Sequence, residues 1–156
     1  MTNFQRQGSI SNSHFGRDFE ERARAVLAAH DIPLQFSHWV PCGFGNYEKL
    51  HSFDLGSEDP PVIVECKSQT WTKGDFVPSV KMKNSAEAMF YIQIAPSGYR
   101  NIFFVEKSLR VREGESLLSH FRRTRGHMIP PDVEFWELPR GSDDVKVYGS
   151  IADGRG

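Results

Sequence analysis

The stretch FDLGSEDPPVIVECK, Phe53 to Lys67, decides the fold. An acid, Asp54, sits near the end of an apolar segment. The turn residues GSEDPP follow, with two prolines that stop a strand from running on. Three β-branched residues, Val62, Ile63 and Val64, then run straight into Glu65, Cys66 and Lys67. The turn makes the two flanking strands antiparallel neighbours, a pairing that can bring the Asp54 and Glu65 carboxylates to one spot. Glu65 and Lys67 are two positions apart, so both project from one face of their strand. Burying such charges is costly without compensation. Two carboxylates in close approach repel unless one is protonated or a cation lies between them. Oxygen ligands with room for water suit Mg²⁺ or Mn²⁺, and a lysine alongside can position a water or steady charge developing on a phosphate.

Working outward, residues 1–13 are polar and read as a loose N-terminal segment. From His14 the apolar positions Phe15, Phe19, Ala23, Val26 and Leu27 form a helical stripe, with Ser13 able to cap it and Pro33 beyond its end. Glu20 lies close to the inward face of that stripe and is in place to add a further carboxylate. Residues 34–40 alternate as a half-buried strand, PCGFGN reads as a turn, and a second strand covers about 50–55. After VIVECK, Ser79 has the chemistry of an N-cap. Met82, Ala86, Met89, Phe90 and Gln93 mark one face of a second helix. NIFFVEK suits a buried parallel strand, GESLLSHFRRTR a third helix and DVEFWEL a last strand. The domain therefore spans 14–139, and 140–156 is a Gly- and Asp-rich tail expected to be partly disordered. The order αβββαβαβ predicts an α/β fold with a mixed sheet: an antiparallel meander, then helices crossing over to parallel strands.

At this point the chain resembles the PD-(D/E)XK nuclease superfamily, the group with the restriction-endonuclease-like fold. The resemblance rests on a helix carrying Glu20, Asp54 on the second strand and Glu65-Cys66-Lys67 on the third, and covers roughly residues 14–107. It implies a metal-dependent hydrolase of phosphodiester bonds, an endonuclease acting on DNA more readily than RNA. Asp54, Glu65 and the Cys66 backbone carbonyl would bind Mg²⁺ or Mn²⁺. Lys67 would be the catalytic lysine and Glu20 the helix acid. Gln69 would match a Glu-x-Lys-x-Gln extension and orient its neighbours. Phe53 stands where the signature has proline. An acid-x-Lys triplet alone has little weight: Asp144-Val145-Lys146 fits it too, but among turn residues and after no apolar run.

The whole chain is 156 residues long and carries a net charge of −1, so it is no generic polyanion binder. Residues 81–127 nevertheless hold nine basic and four acidic residues, between flanks that are each −3. Lys81 and Lys83 at the second helix, and Arg122, Arg123 and Arg125 with His120 and His127 on the third, are candidates for a nucleic-acid backbone; a solvated face is the plain alternative. Trp71 is a candidate for a base or sugar contact, with packing the competing use for it, Trp39 and Trp136. The histidines show no HExxH spacing, Gly43-Phe44-Gly45 is no phosphate loop, and no GxSxG elbow is present. Cys42 and Cys66, the only cysteines, form no CxxC pair, and Cys66 reads as a small buried side chain. With no apolar signal segment and no membrane span, a reducing cytoplasm is the expected location. A chain this short is expected to lack a separate sequence-reading domain, and so to dimerise to cut two strands, to act on a structural feature or to work beside a partner, with a homodimer as the favoured expectation. The competing functional reading is a nuclease-fold accessory or binding module, in a repair, defence or phage complex, that no longer cuts.

Overall fold

The computed structural model describes the backbone of residues 4–149 and the side chains of residues 16–149. Helix α1, Phe4–Ala29, is followed by strands β1, Gln35–Phe44, β2, Tyr47–Glu58, and β3, Pro61–Lys67. Helix α2, Ser79–Ile94, leads to β4, Arg100–Glu106. Helix α3, Leu117–Arg125, and a short 3₁₀ turn lead to β5, Val133–Leu138, and β6, Lys146–Tyr148. The strands form one sheet in simple chain order, β1 to β6. Pairing is antiparallel for β1–β2–β3, parallel for β3–β4–β5 and antiparallel for β5–β6. The expected α/β architecture with a mixed sheet is therefore present.

The apolar periodicities explain the layers. On one sheet face, Phe19, Ala23, Val26 and Leu27 of α1 pack with Val62, Val64, Ile102, Phe104, Trp136 and Leu138. On the other, Met82, Met89 and Ile92 of α2 and Leu117, Leu118 and Phe121 of α3 pack with Ile63, Phe103, Val105 and Phe135. Consecutive residues of β4 thus serve opposite cores, which is why NIFFV is apolar throughout: the strand is central and covered on both sides. Helix α1 stops where Asp31 turns left-handed (φ 63°) and the Ile32 N–H returns to the Leu27 carbonyl at 2.9 Å.

Several boundaries differ from those expected. Helix α1 is already helical at Phe4, so 4–13 is not a loose segment and Ser13 is not its cap; Gln and Arg in that stretch are good helix formers. Residues 1–3 lie outside those described. Strand β1 runs through Pro41 rather than turning there, because β1 is an edge strand and proline is tolerated on an edge. The actual hairpin turn is Gly45-Asn46, with Gly45 at φ 55°, the left-handed conformation that tight hairpins reserve for glycine. Ser79 is the first residue of α2, and Pro78 occupies the cap position. The buried face of α2 is Met82, Ser85, Met89 and Ile92, which leaves Phe90 and Gln93 outside. The segment after Arg140 adds β6 to the sheet edge before the described residues end. The remainder of the expected tail lies outside the described residues.

One irregularity shapes the site. Leu55 packs in the α1-side core and Phe53 in the α2-side core, although residues two apart on a strand normally share a face. On the partner strand, Phe36 joins the α1 side and Val40 the α2 side. The change of face falls at Asp54 and, opposite it, at Ser37, whose φ is 55°. Beyond this point the β1–β2 ribbon leaves β3 and folds over α2. His51 stacks on Tyr91 with ring centroids 3.7 Å apart, and Phe44 meets Phe90 at 6.2 Å.

Candidate functional site

The fork between β2 and β3 carries the acids. The last ladder pair is Leu55 with Val64. One step further the side chains take over from the backbone. The Cys66 N–H donates to Asp54 Oδ2 at 2.8 Å, and the Asp54 N–H donates to Glu65 Oε2 at 3.3 Å. Each carboxylate thus holds the main chain of the opposite strand. This satisfies the backbone groups that the splay would otherwise strand, and it brings both acids together in the crotch of the fork.

Glu65 is only 8% exposed. Burial first, and then the charge of Asp54, push its carboxyl up from the ordinary 4.5 to about 8, with Lys67 pulling the other way. Helix α1 delivers Glu20 to the same place, hydrogen-bonded to the Asp54 side chain. Burial and Asp54 raise its carboxyl to about 7. Lys67 is half-buried at the end of β3, close enough to lower both acids. Glu20, Asp54, Glu65 and Lys67 therefore act on one another electrostatically. Three acids against Lys67, with Arg17 acting on Glu20 as well, leave the cluster short of positive charge. Cys66 points to the α1-side core, and burial raises its thiol well above the usual range. Only its backbone faces the acids.

The remaining expected site residues divide. Gln69 is turned toward α2: its Nε2 donates to the Lys81 carbonyl at 3.2 Å and its Oε1 accepts from Ser85 Oγ at 3.1 Å. It braces the start of α2 beside Lys67. Lys81 is exposed and lines a cleft of about 760 Å³ whose walls also carry Phe19 and Ser68, the chain neighbours of Glu20 and Lys67. Lys83 instead faces a groove on another side, with Arg125 and His127. Arg122 lies over the Phe135 and Tyr148 rings at 5.3 and 5.2 Å. Arg123 makes a paired contact with Glu115 at 3.0 and 3.1 Å. The expected basic cluster on α3 is therefore dispersed, because helical spacing sends successive residues to different neighbours. Trp71 is buried, donates through Nε1 to the Ser108 carbonyl at 3.2 Å and carries Arg110 over its ring, and Trp136 is buried in the α1-side core. Trp39 is 59% exposed on the edge strand.

Glu106, at the buried end of β4, is a feature that sequence reasoning missed. It follows Val105, the register partner of Lys67, and lies on the wall of the cleft, where Arg140 Nε meets its Oε1 at 2.7 Å. Its position at the close of an apolar strand, as with Glu65, was the available signal. His51, on the ribbon that folds over α2, has a buried Nε2 with no partner among the described residues and feels the charges of Asp54 and Lys67.

Among the described residues, no group of three or more His, Cys, Asp or Glu side chains forms a ready-made metal cage. No helix among them is long and apolar enough to cross a membrane. Comparison of the chain with protein-family models, curated proteins and solved structures gave no match.

Proposed function

We propose that this chain is a metal-dependent nuclease of the restriction-endonuclease-like fold, hydrolysing phosphodiester bonds, with DNA as the favoured substrate. The observation that carries the reading is the interlock at the β2–β3 fork. Asp54 and Glu65, from adjacent strands, converge with Glu20 from α1, and Lys67 lies alongside.

The donor set fits a hydrated divalent cation. Two hard carboxylates, with the Cys66 backbone and water, suit Mg²⁺ or Mn²⁺, which retain several waters and need no closed cage of side chains. Burial first, and then the charge of Asp54, raise the pKa of Glu20 and of Glu65, and a cation among the three acids would oppose both shifts. Such an ion, when bound, would supply electrostatic stabilisation to a phosphate and acidify water. The chain's own residues do the rest. Asp54 and Glu65 would hold the cation. Lys67, carried on the end of β3, orients the attacking water and faces the charge gathering on the phosphate oxygens. Glu20 provides a third carboxylate able to accept a proton near neutral pH. Gln69, tied to α2, fixes the approach of that helix to Lys67. Lys81 and the cleft beside it offer the backbone of the nucleic acid a place to lie.

The accessory-module alternative draws on one observation: the two strands satisfy each other through Asp54 and Glu65 without any ion. Incubation with supercoiled plasmid, single-stranded DNA and RNA, with Mg²⁺ or Mn²⁺ and then with chelator, decides between them. The nuclease reading expects nicking that stops with chelator and in Asp54→Ala and Lys67→Ala. Binding without cleavage, unchanged by either substitution, overturns it and favours the module. Cleavage of RNA alone reassigns the substrate.

A further inference from the structure

The loops that follow β3 and β4 leave the sheet side by side, at the end where Lys67 pairs with Val105. They are fastened together there. The Trp71 N–H and indole N–H donate to Ser108 Oγ and to the Ser108 carbonyl, both at 3.2 Å. Further out, Asp75 clasps the second loop. Its two carboxylate oxygens accept the Val111 and Arg112 N–H groups at 3.1 and 3.0 Å, and its carbonyl accepts Arg110 Nε at 3.0 Å. Thr72 closes the first loop, with Oγ1 accepting the Phe76 N–H at 3.0 Å.

This rigid pair of loops presents apolar side chains to solvent. Phe76, next to Asp75, is 71% exposed, and Val111, whose N–H is part of the clasp, is 89% exposed. The Phe76 ring is seated on Gly74: a Cβ built there would lie 2.7 Å from the ring. Glycine thus lets the ring lie down on the loop, and most of the ring remains uncovered. The surrounding charge is positive. Lys73, Lys107 and Arg112 are exposed on the same two loops, the Asp75 carboxylate is taken up by backbone donors, and Glu113 is paired with Arg110.

We infer that these clasped loops are a platform for an unpaired stretch of nucleic acid entering the acid–lysine site, with Phe76 stacking on a base and Lys73, Lys107 and Arg112 following the phosphates. The inference rests on the nuclease reading for the identity of the polyanion. An exposed, fixed aromatic face among cations suits unstacked bases, whereas the bases of an intact duplex are already stacked. The substrate class is therefore single-stranded nucleic acid, or a duplex end or junction that offers unpaired nucleotides.

The test is equilibrium binding of the full chain, in chelator so that no cleavage occurs, to fluorescent oligothymidylate and to a blunt duplex of equal length. The single strand should bind more tightly. Phe76→Ala should weaken single-strand binding roughly tenfold and leave duplex binding unchanged, and Phe76→Trp should restore it. Gly74→Ala, which lifts the ring, should weaken it too. Replacing Lys73, Lys107 and Arg112 with glutamine should flatten the salt dependence. The platform is overturned if Phe76→Ala has no effect, if it weakens both ligands equally, or if the surface captures a protein partner instead of the oligonucleotide. Plasmid nicking that depends on Asp54 but ignores Phe76 would refute the platform and keep the nuclease. Binding that depends on Phe76 without any nicking would do the reverse.

Discussion

Replacing Glu65 with glutamine removes a buried charge while keeping the shape of the side chain. The folded protein raises this carboxyl from 4.5 to about 8, chiefly by burial and by the charge of Asp54. At pH 7 the unfolded chain would ionise Glu65, whereas the folded chain keeps it protonated. Each pH unit above the unfolded value costs the folded state 1.36 kcal/mol, or about 3 kcal/mol at pH 7. The sign follows from the direction of the shift. Below about pH 4.5 the group is protonated in both states and costs nothing; as pH rises toward about 8 the penalty grows, and above that it is constant. Glutamine does not titrate, and its amide can donate to Asp54 while its oxygen accepts the Asp54 N–H. The Glu65→Gln protein in chelator should therefore melt near the wild-type temperature at pH 4.5 and on the order of 5–10 °C higher at pH 7. Melting curves followed by circular dichroism between pH 4.5 and 9 measure this. Mg²⁺ should raise the wild-type melting temperature at pH 8 more than that of the variant, and the variant should not cleave. A variant less stable by the same amount at every pH would refute the argument, because the penalty would not then come from ionisation.

Other substitutions probe the frame around the site. Ser37 holds a left-handed φ of 55°, so Ser37→Gly should stabilise the fold by roughly 0.5–1 kcal/mol, read as a higher urea midpoint. Gly56→Ala places a Cβ 2.5 Å from the His38 side chain, which is held at 3.0 Å by Glu58. It should cost about 1–3 kcal/mol, and much of that should return in combination with His38→Ala, in a double-mutant cycle. Phe104→Ala empties a fully buried position between Phe19 and Trp136 and should cost about 3–5 kcal/mol at every pH tested, in contrast to Glu65→Gln.

The sheet was legible because its signals are local. A short turn between two apolar strands puts Asp54 opposite Glu65 with few alternatives, and an unbroken apolar run such as Ile102–Val105 belongs in the middle of a covered sheet. What escaped was set by contacts at a distance. Pro41 reads as a stop, yet it is harmless on an edge, and nothing local reveals which strand is the edge. Phe90 looks like a core residue but is drawn outward to Phe44 by a ribbon that changes face at Ser37. That change depends on one dihedral angle at a residue with no glycine to announce it. The partners of Gln69, the Lys81 carbonyl and Ser85 on α2, are likewise set at a distance, by a helix that begins ten residues further along the chain. The arginines of α3 share a short stretch of sequence but not a surface, since Glu115 and Tyr148 each claim one of them.

The strictly sequential order of the sheet also bears on how the chain is made. Each strand pairs with the one synthesised just before it, so the sheet grows along one advancing border and never waits for a distant segment to return. By the time Lys67 has left the ribosome, every acid of the fork has been made, while the β4 that must cover Glu65 on its other side is still to come. On this order of synthesis the acids would be gathered early in wet surroundings and dried late. Their affinity for protons, and for any cation, would rise as the second half of the chain closes over them.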